Sequence, residues 1–368
     1  MLYTLPDDYK QFSCIAGNCE DTCCAGWQIV IDERSLARYK NVKSDFCKRL
    51  HKSIHWRQKI FKQDKEKRCA FLNSQNLCDM YTALGKEALC QTCKKYTRHI
   101  EVFENVREIS LSVSCPTAAR MILSRKAPLK WIEVERDKEE VDEDFDVFLY
   151  SKLVDARGHM FDILQNRSLP VDVRCRLVLS LAWHMQKRID AGELFSCDEI
   201  FDYYHDSKVI SKVTDKLHAF YTSEHLMSEA EHVYSHLFEL ERLREDWELW
   251  LHEAFALVFS GDEKDYRSKH QSFKEWLEAN LPEAAIWFEH LMVYYIYTYF
   301  CGAVYDGMIY PKARMAVYSV FLIYEMLLAK WLKNDRILDV EDAIEIVYRY
   351  ARELEHSDLN LNAIEHWG

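Results

Sequence analysis

Apolar residues recur at helical spacing through most of the chain after Phe148. Residues 174–190, 229–260, 264–280 and 340–355 place hydrophobic side chains three and four apart, the pattern of an amphipathic helix with one face toward a core. Two further stretches, 284–300 and 315–332, are apolar nearly all round. Since the first contains Glu289 and His290 and the second Glu325 and Lys330, both are expected as buried helices of a bundle and not as membrane spans. Alternation of period two is confined to WQIVID at 27–32 and to HIEVF-EN-VREISLS at 99–112, and the second run predicts a hairpin. Between these regimes, residues 135–146 hold eight acidic side chains in twelve and read as an exposed linker.

The expected fold is therefore mainly α. A small N-terminal domain over 1–125 carries the hairpin, an acidic linker spans 126–146, and an all-α domain fills 147–368. Length and an apolar content of 49% allow two domains with a substantial core. With only 9 Gly and 6 Pro, long helices are easily written and the Gly-rich turns that cradle nucleotides are missing: neither GxGxxG nor GxxxxGK[ST] occurs.

The net charge of −12 hides an asymmetry. Residues 1–125 carry 21 Lys and Arg against 14 Asp and Glu, while the remainder carries 27 against 46, a net of −19. The acidic part would repel a phosphate backbone and no reader motif is present, so no nucleic-acid partner is expected. The opening MLYTLPDDYK has no basic segment leading into an apolar one, and a cytoplasmic protein is expected.

Cysteine placement changes the picture most. Ten of 13 Cys precede residue 116, and nine of these sit in short patterned segments; Cys47 is the exception. FSCIAGNCEDTCCAGW gives Cys14, Cys19, Cys23 and Cys24 in the order C-x4-C-x3-C-C. RCAFLNSQNLCDMY gives Cys69 and Cys78, LCQTCKKYTR gives the knuckle Cys90 and Cys93, and SCP gives Cys115 at the start of a short helix. In a reducing compartment such density points to metal ligation in preference to disulfides. Lys and Arg beside the thiols would lower their pKa and offset thiolate charge. Zinc and an iron–sulfur cluster are both open on spacing alone. Nine thiols exceed what one four-coordinate site uses, so either two centres exist or some cysteines play a supporting part. Neighbouring side chains diverge on regular backbone, so Cys23 and Cys24 can share one centre only at an irregular turn.

These residues carry a resemblance. The Cx4Cx3CC order with Trp27 behind it, then CAFLN, LCDMY, LCQTCKKYTR and SLSVSCPTAAR, resembles the CxxCxxCC group of zinc- or iron-chelating proteins. More closely it resembles the flagellin lysine-N-methylases, and the similarity continues into YFCGAVYDGMIYPKARMAV at 299–317. It is dense over the first 125 residues and thin beyond them. The resemblance implies methyl transfer to flagellin lysines, S-adenosylmethionine as donor and a [4Fe-4S] cluster. Thr97 stands where the family pattern has Pro.

Methylating a lysine needs a neutral amine, hence a group that takes or relays a proton and walls that exclude water. GAVYDGMIYP offers Tyr305 and Asp306 as the candidate catalytic residues, with Tyr310 beside them. The tyrosines at 294, 295, 297 and 299 and the histidines 99, 184 and 290 read as core or locally satisfied groups. Two other classes fit the same residues: a non-enzymatic iron–sulfur or zinc module whose helical part docks a partner, and a structural zinc protein.

Overall fold

A computed structural model describes residues 1–137, 145–204, 206–221 and 224–367. Helix accounts for 63% of the described residues and strand for 9%, so the protein is mainly α with a small sheet. The strands are β1 (Leu2–Pro6), β2 (Ile54–His55), β3 (Ile60–Phe61), β4 (Arg98–Phe103), β5 (Val106–Leu111) and β6 (Trp131–Glu135). Four of them form one sheet in the order β4-β5-β1-β6, with β1 parallel to β5 and antiparallel to β6. The hairpin expected at 99–112 is β4 and β5, registered Arg98↔Leu111 to Phe103↔Val106. WQIVID does not form a strand: Val30 makes one isolated bridge to Ile60, and Asp32 turns the chain by capping the helix Glu33–Lys40 through Ser35 N.

Residues 126–146, expected as a linker, include β6, which closes the edge of the sheet beside β1. The most acidic part of that segment, 138–144, lies outside the described residues. Cores divide the chain at a different place from charge. Phe103, Val113, Ala119, Leu123 and Leu129 belong to the large core of the helical part. The cysteine-rich stretch has a separate small core of Ile29, Ile31, Leu36, Tyr39, Leu50, Ile54, Phe61, Phe71 and Met80. The sheet thus packs as part of the bundle, and only the segment between β1 and β4 stands on its own core.

In the bundle, helices Ala284–Tyr299 and Ile309–Lys333 run through the middle. The second is long and apolar enough to cross a membrane by length and composition, yet 67% of that window is buried against neighbouring helices. Trp287 and Trp331 are among its largest enclosed side chains, and truncating either to Ala should cost about 3–5 kcal/mol. Buried carboxylates have partners: Glu289 receives Arg174 and Arg167, each at 2.8 Å, and Glu325 accepts from Tyr266 at 3.1 Å and lies 3.2 Å from His270 Nε2. The expected helix over 229–260 is two, Leu226–Ser235 and Glu245–Phe259, separated by a turn at 240–244 where Leu243 N donates to Glu353. Val340–Glu355 begins with a capping box between Asp339 and Asp342.

Candidate functional site

The first cysteine loop is built from turns. Ala16 N donates to Cys14 Sγ at 3.4 Å, Cys19 Sγ donates to Asp21 O at 3.2 Å, and Trp27 Nε1 donates to Cys23 O at 2.8 Å. Such irregular backbone lets adjacent Cys23 and Cys24 hydrogen-bond through their side chains while facing different neighbours. Cys24 lies with Cys69, Cys78, Cys90 and Cys93 in the small core. Cys23 instead faces Cys115 and Arg352, Cys19 faces the same pair, and Cys115 also feels Cys14. The nine thiols thus form two groups, of five and four, joined at Cys23 and Cys24.

Each of Cys78, Cys90 and Cys115 occupies the residue before a helix, in extended conformation, with Pro116 at the first helical position after Cys115. Backbone N–H groups two and three residues on reach their sulfurs, as suits a thiolate. The Cys93 thiol donates to Cys90, which lowers the Cys90 pKa and raises that of Cys93. Cys23 stands to Cys24 in the same way, and Cys24 is lowered to about 7. Burial pushes Cys69 up to about 12 and Cys19 up to about 11. Among the described residues no three His, Cys, Asp or Glu side chains stand at the spacing of ligands to a single ion. The donor set is nonetheless all sulfur, largely enclosed and served by backbone donors, which fits a thiolate-ligated cluster and fits no hard cation. Cys47 stays outside both groups, 3.9 Å from His51 Nε2.

The cation beside the thiols comes from the far end of the chain. Arg352, buried on Val340–Glu355, donates from Nε to Ser114 O at 2.9 Å and from Nη2 to Asp21 O at 2.6 Å. Its Nη1 is 2.7 Å from Asp21 Oδ1. Sequence reading sought this cation among the lysines and arginines near the cysteines, and nothing in the 340–355 periodicity singled Arg352 out.

Beside Arg352 lies a half-buried polar and aromatic group. His356 stacks on Trp27 at 4.5 Å and meets Tyr96 edge-on at 5.6 Å. Ser114 Oγ lies 3.1 Å from His356 Nε2 and 3.2 Å from Tyr96 OH, and it contacts Ser112 Oγ. Burial and the nearby Arg352 lower the His356 pKa to about 3, so the ring is neutral. Glu355 accepts from Ser112 Oγ and, at 2.8 Å, from Tyr294 OH. Thr97, where the family pattern has Pro, follows a cis peptide bond and donates from Oγ1 to Ser112 O at 3.0 Å.

Tyr305 and Asp306 are elsewhere. Tyr305 OH donates to Val102 O at 2.5 Å beside Phe103, at the end of β4 away from Tyr96, roughly 17 Å of extended strand. Asp306 caps Met308 N at 2.8 Å and pairs with Lys312 at 2.9 Å; Lys312 also holds Glu365 at 2.9 Å. The structure therefore does not bring either residue to the cysteines. Tyr294, Tyr295 and Tyr297 are buried, as expected of core residues, and His290 Nδ1 donates to Ile122 O at 3.2 Å.

The family model of the FliB lysine N-methylase C-terminal domain matches residues 157–367, more than half of the chain. A lysine-N-methylase of Salmonella typhimurium strain LT2 is 30% identical over 130 residues, covering 33% of this chain and 32% of that protein. The flagellar biosynthetic protein FliU of Salmonella muenchen is 30% identical over 130 residues, covering 33% of this chain and 76% of its own length. The match thus spans about a third of the full-length curated methylase. No solved structure matches the chain. The helical part that delivers Arg352 to the thiols is the part that carries the family's pattern, and the chain belongs to the FliB lysine N-methylase family.

Proposed function

We propose that this protein is an iron–sulfur protein-lysine N-methyltransferase that methylates flagellin with S-adenosylmethionine as donor. The observation that carries the reading is the union of two things in one place: the matched region 157–367 supplies Arg352, which faces Cys19, Cys23 and Cys115, and His356, which packs on Trp27 and Ser114 beside them. Flagellin as substrate is supported by the flagellar name of the Salmonella muenchen relative.

Four of Cys24, Cys69, Cys78, Cys90 and Cys93 would hold the [4Fe-4S] cluster, one thiolate to each iron, since the five share one core and feel one another's charge. Cys14, Cys19, Cys23 and Cys115 would form a second ligand group or shield the first. When bound, such a cluster supplies redox-capable iron and cross-links loops that have little core of their own. The chain's own residues do the remaining work. Arg352 offsets thiolate charge, Trp27 and Tyr96 exclude water, and His356 remains an uncharged hydrogen-bonding group. All 13 cysteines are free thiols among the described residues, so each is chemically available as a ligand.

The test is anoxic purification, with iron, inorganic sulfide and zinc measured in one sample, followed by incubation with unmethylated flagellin and labelled donor. Iron with sulfide and label on lysine support the reading. Zinc without sulfide removes the cluster, and a sample with iron and sulfide but no lysine label leaves a binding module.

A further inference from the structure

Glu355 ends the helix Val340–Glu355, so its side chain lies where the helix carbonyls already make the potential negative. Its carboxylate accepts from Ser112 Oγ, Tyr294 OH and Tyr299. No Lys or Arg pairs with it among the described residues; the buried Glu108 and Glu289 are each clamped by arginine, while the buried Glu325 is held by Tyr266 and His270. Close by, Tyr295 is fully buried and its hydroxyl has no hydrogen-bond partner among the described residues, a polar group left over in a place where such groups are normally satisfied. Its ring stacks on Tyr299 at 6.3 Å and meets Tyr294 at 5.1 Å. Tyr299 in turn meets His99 at 5.4 Å, and His99, 2.5 Å from Glu101 through Nε2, is the titratable cationic group that faces Glu355. Glu355, Tyr299, His99 and His356 are half-buried, so the group is within reach from outside.

An anion enclosed by tyrosine rings and hydroxyl donors, with a spare hydroxyl and no lysine or arginine, is chemically the complement of a small organic cation. We propose that Glu355, walled by Tyr294, Tyr295, Tyr299 and His99, receives the ammonium group of the lysine to be methylated and takes its proton. This rests on the methyltransferase reading. One N–H proton passes to the Glu355 carboxylate, leaving a neutral amine. The nitrogen lone pair then bonds to the methyl carbon of a sulfonium donor as the carbon–sulfur bond breaks and its electron pair stays on sulfur, giving a neutral thioether and a methylated ammonium. Burial holds the Glu355 carboxyl above the usual carboxylate range, which suits a proton acceptor working near neutrality. The Ser112 and Ser114 hydroxyls continue from Glu355 to His356 and Tyr96, so the proposed seat adjoins the cysteine groups.

The experiment uses the full chain, purified with its metal, as wild type and as Glu355→Gln, an exchange that keeps the shape and an acceptor for the tyrosines. Two readouts are taken: methylation of flagellin across pH, and calorimetric binding of n-butylammonium chloride, which is the lysine side chain without its backbone. We expect kcat to fall about 100-fold or more with KM little changed, and butylammonium affinity to fall at least about 10-fold. Wild-type turnover and binding in Glu355→Gln overturn the proposal. If the wild type methylates no lysine but binds butylammonium in a Glu355-dependent way, the methyltransferase reading fails and the cation seat stands. Should the Gln variant not fold, Glu355→Asp, which keeps the charge and withdraws it by one methylene, is put through both readouts; unchanged turnover and binding there overturn the proposal equally.

Discussion

Arg352 and Asp21 stand 331 positions apart in sequence and are joined by both a backbone hydrogen bond at 2.6 Å and an ion pair at 2.7 Å. With Arg244, 3.0 Å from the other Asp21 oxygen, they fasten the first cysteine loop to the helical part. Replacing Arg352 by Leu leaves Asp21 with one cation and Ser114 O without its donor. The expected loss is about 3 kcal/mol, the low end for breaking an enclosed pair because Arg244 remains. Urea unfolding of the metal-loaded protein measures it, and an unchanged midpoint would show that the contact is incidental.

The two thiol groups should behave differently. Cys90→Ser with Cys93→Ser removes two members of the small core and should lower iron content and melting temperature together. Cys14→Ser, at an exposed position in the other group, should leave most of the iron in place. Equal iron loss in both variants would mean that one centre draws on both groups.

Glu353 gives a pH signature. It is 6% exposed, accepts from Leu243 N at 2.8 Å, and burial raises its pKa to about 7. Its folded pKa lies above the unfolded value, so its contribution is fully present below pH 4.5 and is lost as pH rises through about 7. Glu353→Gln should flatten that fall and make the protein more stable above neutrality, by up to about 3 kcal/mol. Thermal melts of both proteins at several pH values between 4.5 and 8 decide the matter.

Asp306→Asn should weaken a cap and one partner of Lys312 while leaving Glu365 in place. A loss of about 1 kcal/mol in stability is expected with turnover near wild type. A large fall in kcat at unchanged stability would return Asp306 to the reaction.

Lysine-bearing surfaces are cationic, and residues 126–368 carry a net of −19. Attraction of that kind acts over about 8 Å at physiological ionic strength and weakens as salt is added. The Michaelis constant for flagellin should therefore rise with salt, and a constant value between low and high salt would dismiss electrostatic steering.

Much of this was legible in the chain. The 3.6 period located 340–355 and 284–300 to within a residue or so, and the hairpin at 99–112 followed from an approximate alternation around Glu104 and Asn105. The clustering of nine cysteines was plain from spacing, and the divergence of Cys23 from Cys24 follows from elementary backbone geometry. What period cannot show is which end of a helix meets which loop. Arg352, Glu355 and His356 look like the tail of an ordinary amphipathic helix, and only packing against Ser112 and Ser114 gives them partners. The glycines around Asp306 mark a turn in the sequence, whereas its partner Lys312, six residues on and in the next helix, is given by packing alone.

The parallel pairing of β1 with β5 means that the chain leaves the sheet after Pro6 and returns to it at Arg98, with one strand between the two points and Arg98 Nε bonded to Tyr9 OH at 2.8 Å. Eight of the nine patterned cysteines thus lie on an excursion with both ends pinned to a scaffold that folds on another core, and the ninth, Cys115, belongs to that scaffold. Chelation should consequently open the protein to proteases in one stretch, 12–95, and leave a nicked but still compact remainder whose two pieces copurify.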